Sequence, residues 1–251
     1  MATERLITNS SPPLLSHLHI LVFGSALLVY NAQHIIRWRR KVSGIHILFR
    51  PWYFLFFGAG AAMVITSLFW LSAEMLVACI VLAAFTFTYS WPLLPFKNKK
   101  RLREYGWLKI LVLAGVWTIV TSILPIVFIN KNIGDYPYEV VIRFVFIFTL
   151  CIVFDIRDMQ TDLANNIETL PHKFGIKNSY QLINITLTLF AVLSVIQYLR
   201  YHDIERLTGS LFTAVITKLV VSYLRKHPSG RAYLGLADGV MMVYALLVLC
   251  Y

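Results

Sequence analysis

Long apolar runs separated by short polar or basic segments dominate this chain. Each run is long enough to cross the ~30 Å hydrocarbon core of a bilayer as a helix. Eight of them are predicted to be transmembrane helices: residues 14–36, 52–71, 75–94, 107–129, 138–158, 180–199, 207–224 and 234–251. The seventh run is short and is interrupted by Lys218. The pattern therefore predicts an all-α fold, a single integral membrane domain over residues 1–251 built as a bundle of about eight helices.

The composition agrees with a membrane protein and excludes an ordinary soluble domain. The chain is 58% hydrophobic and 14% charged, and its mean hydropathy is +0.69. Its net charge of +11 does not indicate nucleic-acid binding, because the basic residues follow the predicted topology. Of the 23 Lys and Arg residues, 17 lie in or beside the loops after the first, third, fifth and seventh runs. Only five lie on the other side.

This asymmetry predicts how the chain is oriented in the membrane. By the positive-inside rule, the four basic loops face the cytoplasm and both termini lie on the opposite side. The basic side chains would then contact the bilayer's anionic headgroups. The compact loops, and the lack of a clear organelle-targeting segment, favour the bacterial inner membrane.

Three aspartates at the end of the fifth run are the strongest sign of chemistry. Asp155, Asp158 and Asp162 are offset by 0, 3 and 7 positions, which places them within a ~60° sector of a helix. Three carboxylates on one face at a membrane interface repel one another and need a cation. Mg²⁺ is the predicted ion, because it takes oxygen ligands and bridges carboxylates to phosphates. In the alternative interpretation, the acids only mark where the helix becomes solvated.

Other charged residues of this run are predicted to play no part in the site. Arg157 is offset by two positions from Asp155, so it is expected to point away from the acids and contact headgroups. Asp135 and Glu139 fall at the other end of the run, where both are expected to be solvated loop charges.

The sequence around the aspartates resembles the second aspartate-rich motif of the UbiA-type intramembrane prenyltransferases. A Thr-Leu-Pro-x3-Gly pattern follows the acids, and a Tyr-Ser-x-Pro segment precedes them. The matching segments are Asp155-Ile156-Arg157-Asp158-x3-Asp162, Thr169-Leu170-Pro171-x3-Gly175 and Tyr89-Ser90-x-Pro92-x-Leu94-x2-Lys97, and together they span about 90 residues. The Asp-Ile-x-Asp-x3-Asp form is most similar to the homogentisate prenyltransferase and chlorophyll synthase branch.

The resemblance implies an activity, a cofactor and a set of site residues. Members usually have nine helices around a cavity open to lipid, where two aspartate-rich motifs bind Mg²⁺ and an isoprenyl diphosphate. The diphosphate departs, and the allylic cation alkylates an acceptor such as an aromatic ring. In this chain Asp155, Asp158 and Asp162 would bind the metal and be catalytic, with Tyr89 near the reacting centre. The diphosphate-binding residues would be Asn31, Arg37, Lys97, Lys99, Lys100 and Arg103.

The family's first aspartate-rich motif is broken in this chain. Asn31 fits the Asn of that motif, but Ala32, Ile35 and Arg39 stand at its three Asp positions. The first of the nine helices also has no counterpart. The chain is therefore predicted to be a divergent member that lacks the first motif.

Several functions are compatible with this loss. The first is a Mg²⁺-dependent prenyltransferase with one metal cluster, in which Arg37 or Arg39 binds phosphate directly. The second is a non-catalytic protein that binds an isoprenoid or scaffolds a pathway partner, and the third is a fold that persists without the first motif's function. A small cation-coupled transporter is least favoured, because transporter sites tend to lie at mid-bilayer on broken helices.

Overall fold

The computed structural model describes residues 2–8, 16–41, 51–90, 106–164, 167, 169–227 and 233–250. These residues form helices joined by turns, and none of them forms a β-strand, as the apolar pattern predicts. Where they are described, the eight predicted runs coincide with helical segments. Within these described ranges, three helices are long and apolar enough to cross a membrane: Gly106–Phe128, Ile176–Tyr201 and Ile204–Lys226. The count of eight crossings stays a prediction.

The helices fall into two compact units. In chain order they are α1 (Ala2–Thr8), α2 (His17–Lys41), α3 (Pro51–Leu68), α4 (Ala73–Ser90), α5 (Gly106–Thr118), α6 (Leu124–Phe128), α7 (Pro137–Ala164), α8 (Leu170–Phe174), α9 (Ile176–Tyr201), α10 (Ile204–Lys226) and α11 (Asp238–Cys250). Unit 1 covers Ser11–Ala78, and unit 2 covers Ala2–Ser10 with Cys79–Tyr251.

Unit 1 contains a hairpin of two closely packed helices, α2 and α3. Gly24 and Gly60 lie where the two helices meet. A Cβ atom on Gly60 would lie only 2.9 Å from the carbonyl oxygen of Gly24, and one on Gly24 only 2.7 Å from the Cβ of Met63. The rings of His17 and Trp70 stack, with centroids 5.1 Å apart. Small residues therefore allow the close backbone approach that is typical of helix pairs in membranes.

The core of unit 2 forms around α7, which packs against α5 on one side and α9 on the other. The rings of Phe146, Phe190 and Tyr244 meet there, with centroids 5.2 to 6.1 Å apart. A hydrogen bond of 2.8 Å joins the hydroxyl groups of Thr149 on α7 and Thr186 on α9. Aromatic packing and a polar contact between helices thus hold α7 in the centre of the unit.

The lysine that interrupts the seventh predicted run has a partner on the neighbouring helix. Lys218 Nζ on α10 donates a hydrogen bond to Asn184 Oδ1 on α9. A lone ammonium group in hydrocarbon would be costly, so pairing with another side chain stabilises it there. The whole of the seventh predicted run, residues 207–224, lies within helix α10, in agreement with the apolar pattern.

A polar cluster, the far-end cluster, lies near the N-terminus of α7. Arg143 Nη2 lies 2.8 Å from Glu139 Oε1 and 3.4 Å from Thr3 Oγ1, and its guanidinium lies 4.6 Å from the ring centroid of Tyr244. Asp135 is exposed, as expected. Glu139 is only 3% exposed, so its prediction as a solvated loop charge is wrong. The sequence signal that was overlooked is its i,i+4 spacing to Arg143.

Helix α1 contacts the same end of unit 2 through a backbone carbonyl beside a proline. Residues Ile119–Ile123, between α5 and α6, form a π-helical turn. Pro125 follows this turn and has no N–H to donate to the carbonyl of Thr121, four residues earlier. Thr3 Oγ1 donates to that carbonyl at 2.5 Å. The short helix therefore supplies a hydrogen bond that the proline cannot make.

Candidate functional site

One ammonium group bridges two of the three predicted site aspartates. Lys109 Nζ lies 2.9 Å from Asp155 Oδ1 and 2.8 Å from Asp162 Oδ2. A separation of seven residues brings these two carboxylates to the same face of α7, as the spacing predicts. Lys109 reaches them from the first turn of α5. The offsetting cation at this face is therefore a side chain of the protein itself.

The third aspartate is bound by its own neighbour in the sequence. Arg157 donates from Nε to Asp158 Oδ1 at 2.7 Å and from Nη2 to Asp158 Oδ2 at 2.8 Å. The same guanidinium lies 4.9 Å from the ring centroid of Phe154. The prediction that Arg157 points away from the acids is therefore wrong. A long arginine side chain can turn along the helix surface, so its Cα direction alone does not place its charge.

These five side chains form the acid cluster: Asp155, Asp158, Asp162, Lys109 and Arg157. Its burial deepens from the rim inward, because the exposed fraction falls from 37% at Asp158 to 13% at Asp162 and 2% at Asp155. Asp155 Oδ2 is buried and has no hydrogen-bond partner among the described residues. Each carboxylate thus contacts a cation, but among the described residues three carboxylates share two cations, so the cluster keeps one excess negative charge. Since an unpaired buried carboxylate is costly, Lys109 is essential to holding Asp155 in the interior.

The other predicted site residues are spread along the chain. Tyr89 lies near the end of α4 and is half-buried. Asn31 lies on α2, where its side-chain amide donates to the carbonyl of Leu27 at 2.7 Å; Arg37 follows on the same helix. Outside the described residues lie Lys97, Lys99, Lys100 and Arg103. The roles of all these residues at the acid cluster stay predictions.

The Thr-Leu-Pro-x3-Gly segment forms a short helix and a glycine turn. Helix α8 begins after Thr169, and Pro171 lies in its first turn, where a missing N–H leaves no hydrogen bond unmade. Gly175 has φ 81° and ψ 154°, a conformation that essentially only glycine adopts. Helix α9 starts at the next residue, Ile176. The segment thus directs the chain from the acid cluster into the helix that packs against α7.

A cavity of about 650 Å³ lies beside the site but does not belong to it. It is lined by residues of α5, α7, α8 and α9, among them Trp107, Leu111 and Phe148. Trp107 and Leu111 stand two positions before and after Lys109, so helix geometry places them on the opposite face of α5 from the ammonium group. The lining is mostly apolar and suits a hydrocarbon chain, although it also includes Lys173, Asn178, Ser179 and Gln181. The acid cluster lies on the other side of α5.

The fold and the site together define an integral membrane helical protein with a buried acid cluster at one end of its central helix. The chain belongs to the UbiA prenyltransferase family, whose model matches residues 37–234, most of the chain. Members of this family are generally prenyltransferases that act on an isoprenyl diphosphate and an acceptor, and they typically use Mg²⁺. Neither the comparison with curated proteins nor that with solved structures gives a match. Membership confirms the resemblance at the level of the family, while the branch and the loss of the first motif stay predictions.

The acid cluster, as it is arranged, does not fit a metal ion held by the three aspartates. Carboxylate oxygens are the donors that Mg²⁺ prefers. However, Lys109 contacts one oxygen of Asp155 and one of Asp162, and Arg157 binds both oxygens of Asp158. Within the described ranges, no group of three or more His, Cys, Asp or Glu side chains is placed to hold a metal ion. A metal shared by Asp155 and Asp162 would require Lys109 to leave.

Lys109 is the site residue that the sequence analysis does not predict, because there it is only one of the 17 basic residues in or beside the four loops that set the topology. Two signals point to it in retrospect. It lies in the first turn of an apolar helix, where the helix dipole disfavours a positive charge, so it needs an acidic partner. It also lies near the start of the fourth apolar run, which directly precedes the aspartate-bearing run, and consecutive elements are often neighbours in space.

Proposed function

We propose that this chain is an integral membrane prenyltransferase that transfers the isoprenyl group of an isoprenyl diphosphate to an acceptor, such as an aromatic ring. The observation that carries this proposal is the buried acid cluster of α7 in a chain that belongs to the UbiA family. In the transfer, the bond between the first isoprenyl carbon and the diphosphate oxygen breaks. The diphosphate leaves with the electron pair, and the carbon bonds to the acceptor, which loses a proton.

In this proposal the acid cluster organises cations around the leaving diphosphate. Negative charge develops on the diphosphate oxygens as the bond breaks, so fixed positive groups stabilise the transition state. Arg157 is anchored by Asp158 at the exposed rim, where a diphosphate can approach it. Asn31, Arg37, Lys97, Lys99, Lys100 and Arg103 stay predicted diphosphate-binding residues, and Tyr89 a predicted catalytic residue, on the resemblance to the family alone.

Magnesium dependence is part of the proposal at the level of the family. Members typically use Mg²⁺, and carboxylate oxygens are donors that this ion prefers, although those of this cluster do not fit the ion as they are now arranged. The ion would supply a further positive charge for the diphosphate. Because Lys109 and Arg157 contact these carboxylates in the present arrangement, the dependence stays a prediction. The enzyme would work in the bacterial inner membrane, with its basic loops and acid cluster toward the cytoplasm.

A non-catalytic protein that binds an isoprenoid is the second candidate. It is favoured by the pairing of the acids with cations of the same chain, which leaves the cluster less open to a metal-diphosphate. Such a protein would bind the isoprenoid through apolar contacts, so its affinity would depend little on Asp158. The diphosphate group of the ligand would also contribute little.

Binding of geranylgeranyl diphosphate to the purified protein in lipid nanodiscs separates these two functions. Asp158→Asn is the test variant, because Asp158 lies at the rim and its loss should not disturb the fold. Asp135→Asn is the matched control, since Asp135 is an exposed acid at the other end of the same unit. In the presence of Mg²⁺ we expect Asp158→Asn to weaken binding at least tenfold, because the variant loses a predicted metal donor and the anchor of Arg157, and Asp135→Asn to leave it unchanged.

Geranylgeraniol, which has the same chain but no diphosphate, provides the second comparison. A prenyltransferase should bind it far more weakly than the diphosphate and should release diphosphate when a suitable acceptor is added. Equal binding of the two ligands, with no effect of Asp158→Asn, would reject the transferase and support the isoprenoid-binding protein.

A further inference from the structure

The ammonium group of Lys109 occupies the position from which a divalent ion would bridge Asp155 and Asp162. We propose that Lys109 competes with divalent metal ions and keeps them out of this pair of carboxylates in the free protein. Only the relevance of this competition to catalysis rests on the proposed function. The competition itself follows from the geometry of the three side chains.

The distances show that the ammonium group and a metal ion cannot be present together. Lys109 Nζ lies 2.9 Å from Asp155 Oδ1 and 2.8 Å from Asp162 Oδ2, which are lengths of charge-assisted hydrogen bonds. Mg²⁺ takes oxygen ligands at about 2.0–2.1 Å. Both carboxylates would therefore have to move toward the ion, into the space that Nζ now fills.

The position of Lys109 gives the ammonium group an advantage over a free ion. The side chain is covalently tethered, so its ammonium group meets the carboxylates at a high effective concentration. It is also only 15% exposed. Mg²⁺ must also lose water before it binds, which it does reluctantly. The first turn of α5 is an unfavourable place for a positive charge, so nothing in the helix itself holds the ammonium group there. Its attraction to the two aspartates accounts for its position.

Removal of the ammonium group should convert the pair into a metal site. Without Lys109, two carboxylates would face each other with no cation between them, and Asp155 Oδ2 already lacks a hydrogen-bond partner among the described residues. Such a pair either takes up a proton or binds a cation. Lys109→Met keeps the length and most of the volume of the side chain and removes only the charge. The variant should therefore bind a divalent ion that the natural chain excludes.

Mn²⁺, followed by electron paramagnetic resonance, is the probe that measures this binding without any substrate. We expect Lys109→Met to bind Mn²⁺ at least tenfold more tightly than the natural protein, and Lys109→Met/Asp155→Asn to lose the gain. Lys131→Met is the matched control, since Lys131 is exposed at the other end of the unit. It should bind Mn²⁺ as weakly as the natural chain.

Lys109→Gln keeps the test valid if Lys109→Met does not fold. Its amide can still donate to one carboxylate without a charge, so a smaller gain in Mn²⁺ affinity is expected. If the folded variants bind Mn²⁺ no more tightly than the natural protein, the proposal is wrong. This holds both when all the proteins bind the ion equally well and when none of them binds it. This measurement does not involve geranylgeranyl diphosphate, so its failure would leave the proposed transferase function to its own test.

Discussion

The two ends of α7 carry charged clusters of opposite character. In the far-end cluster, Glu139 and Arg143 pair one to one and are both buried. In the acid cluster, three carboxylates share two cations, and burial falls from Asp155 to the exposed rim at Asp158. In the first cluster each charge has its own partner of opposite sign, whereas the second retains excess negative charge and an exposed rim at Asp158. A ligand is therefore expected at the acid cluster and not at the far-end cluster.

The difference teaches that burial of charge alone does not identify a functional site in a membrane helix. Glu139 is as deeply buried as Asp155, at 3% and 2% exposed. Only the balance of charge and the access from the rim distinguish the two ends. The predictions below test this distinction by removing charge or hydrogen bonds at each end and in the middle of α7.

The largest effect on stability is expected at the far-end cluster. Arg143→Met removes the partner of Glu139 and leaves a buried carboxylate without compensation, which costs about 3–5 kcal/mol of the free energy of unfolding. Unfolding by SDS in mixed micelles would measure the loss. Glu139→Gln/Arg143→Met is the control, because the double variant buries no net charge and should recover part of that energy. If single and double variants unfold alike, the pair is not the structural element that the comparison describes.

A substitution in the acid cluster should cost less stability than one in the far-end cluster, but it should weaken ligand binding more. Asp155→Asn keeps the shape of the side chain and leaves Lys109 bound to Asp162, so the loss is about 1.5–3 kcal/mol, that of one hydrogen bond to a charged group. In the presence of Mg²⁺ we expect binding of geranylgeranyl diphosphate to fall at least tenfold, because Asp155 is one of the carboxylates predicted to hold the ion. Arg143→Met, measured at a temperature where it stays folded, should bind the ligand as the natural protein does. Equal loss of binding in both variants would remove the distinction between the two ends.

The attachment of α1 tests whether the far-end cluster extends beyond its ion pair. Thr3→Val removes the hydrogen bonds that join α1 to the carbonyl of Thr121 and to Arg143. A loss of about 1 kcal/mol in the free energy of unfolding is expected, which is typical of one net hydrogen bond. Thr8→Val is the matched control, because the hydroxyl of Thr8 donates to the Glu4 carbonyl within α1 itself. A similar loss in both variants would mean that α1 does not stabilise the far-end cluster through Thr3.

The sequence predicted the elements of this fold better than their charged contacts. The apolar runs are long, and in lipid their backbone N–H and C=O groups must form hydrogen bonds within the segment. Such runs therefore form helices, and the helices could be located from the sequence. The common face of Asp155 and Asp162 likewise follows from local helix geometry. The partners of the acids could not be deduced in this way. Lys109 comes from another helix, which a one-dimensional pattern does not place.

The errors at Arg157 and Glu139 have a different physical origin. Both residues were assigned from their position along the chain, one by its direction on the helix and the other by its nearness to the interface. In a long flexible side chain the charged group lies several ångströms from the Cα atom. Its position is therefore set by the nearest opposite charge and not by the direction of the Cα–Cβ bond. At Asp158 and Arg143 that charge lay within four residues. Local opposite charges should therefore be examined before a residue is assigned to solvent or lipid.

The middle of α7 provides the baseline against which both ends are compared, and the smallest effect is expected there. Thr149 and Thr186 contact each other between α7 and α9, but each hydroxyl also lies within hydrogen-bond distance of a carbonyl of its own helix, that of Val145 or Ile183. The two hydroxyl protons are therefore shared among three contacts. A double-mutant cycle with Thr149→Val and Thr186→Val should therefore give a coupling energy of about 0.6 kcal/mol, the average for such contacts in membranes. A coupling above about 1.7 kcal/mol would exceed the usual range for such bonds. The neutral middle of the helix would then contribute as much stability as an ion pair, and it could not serve as a baseline for comparing the two charged ends.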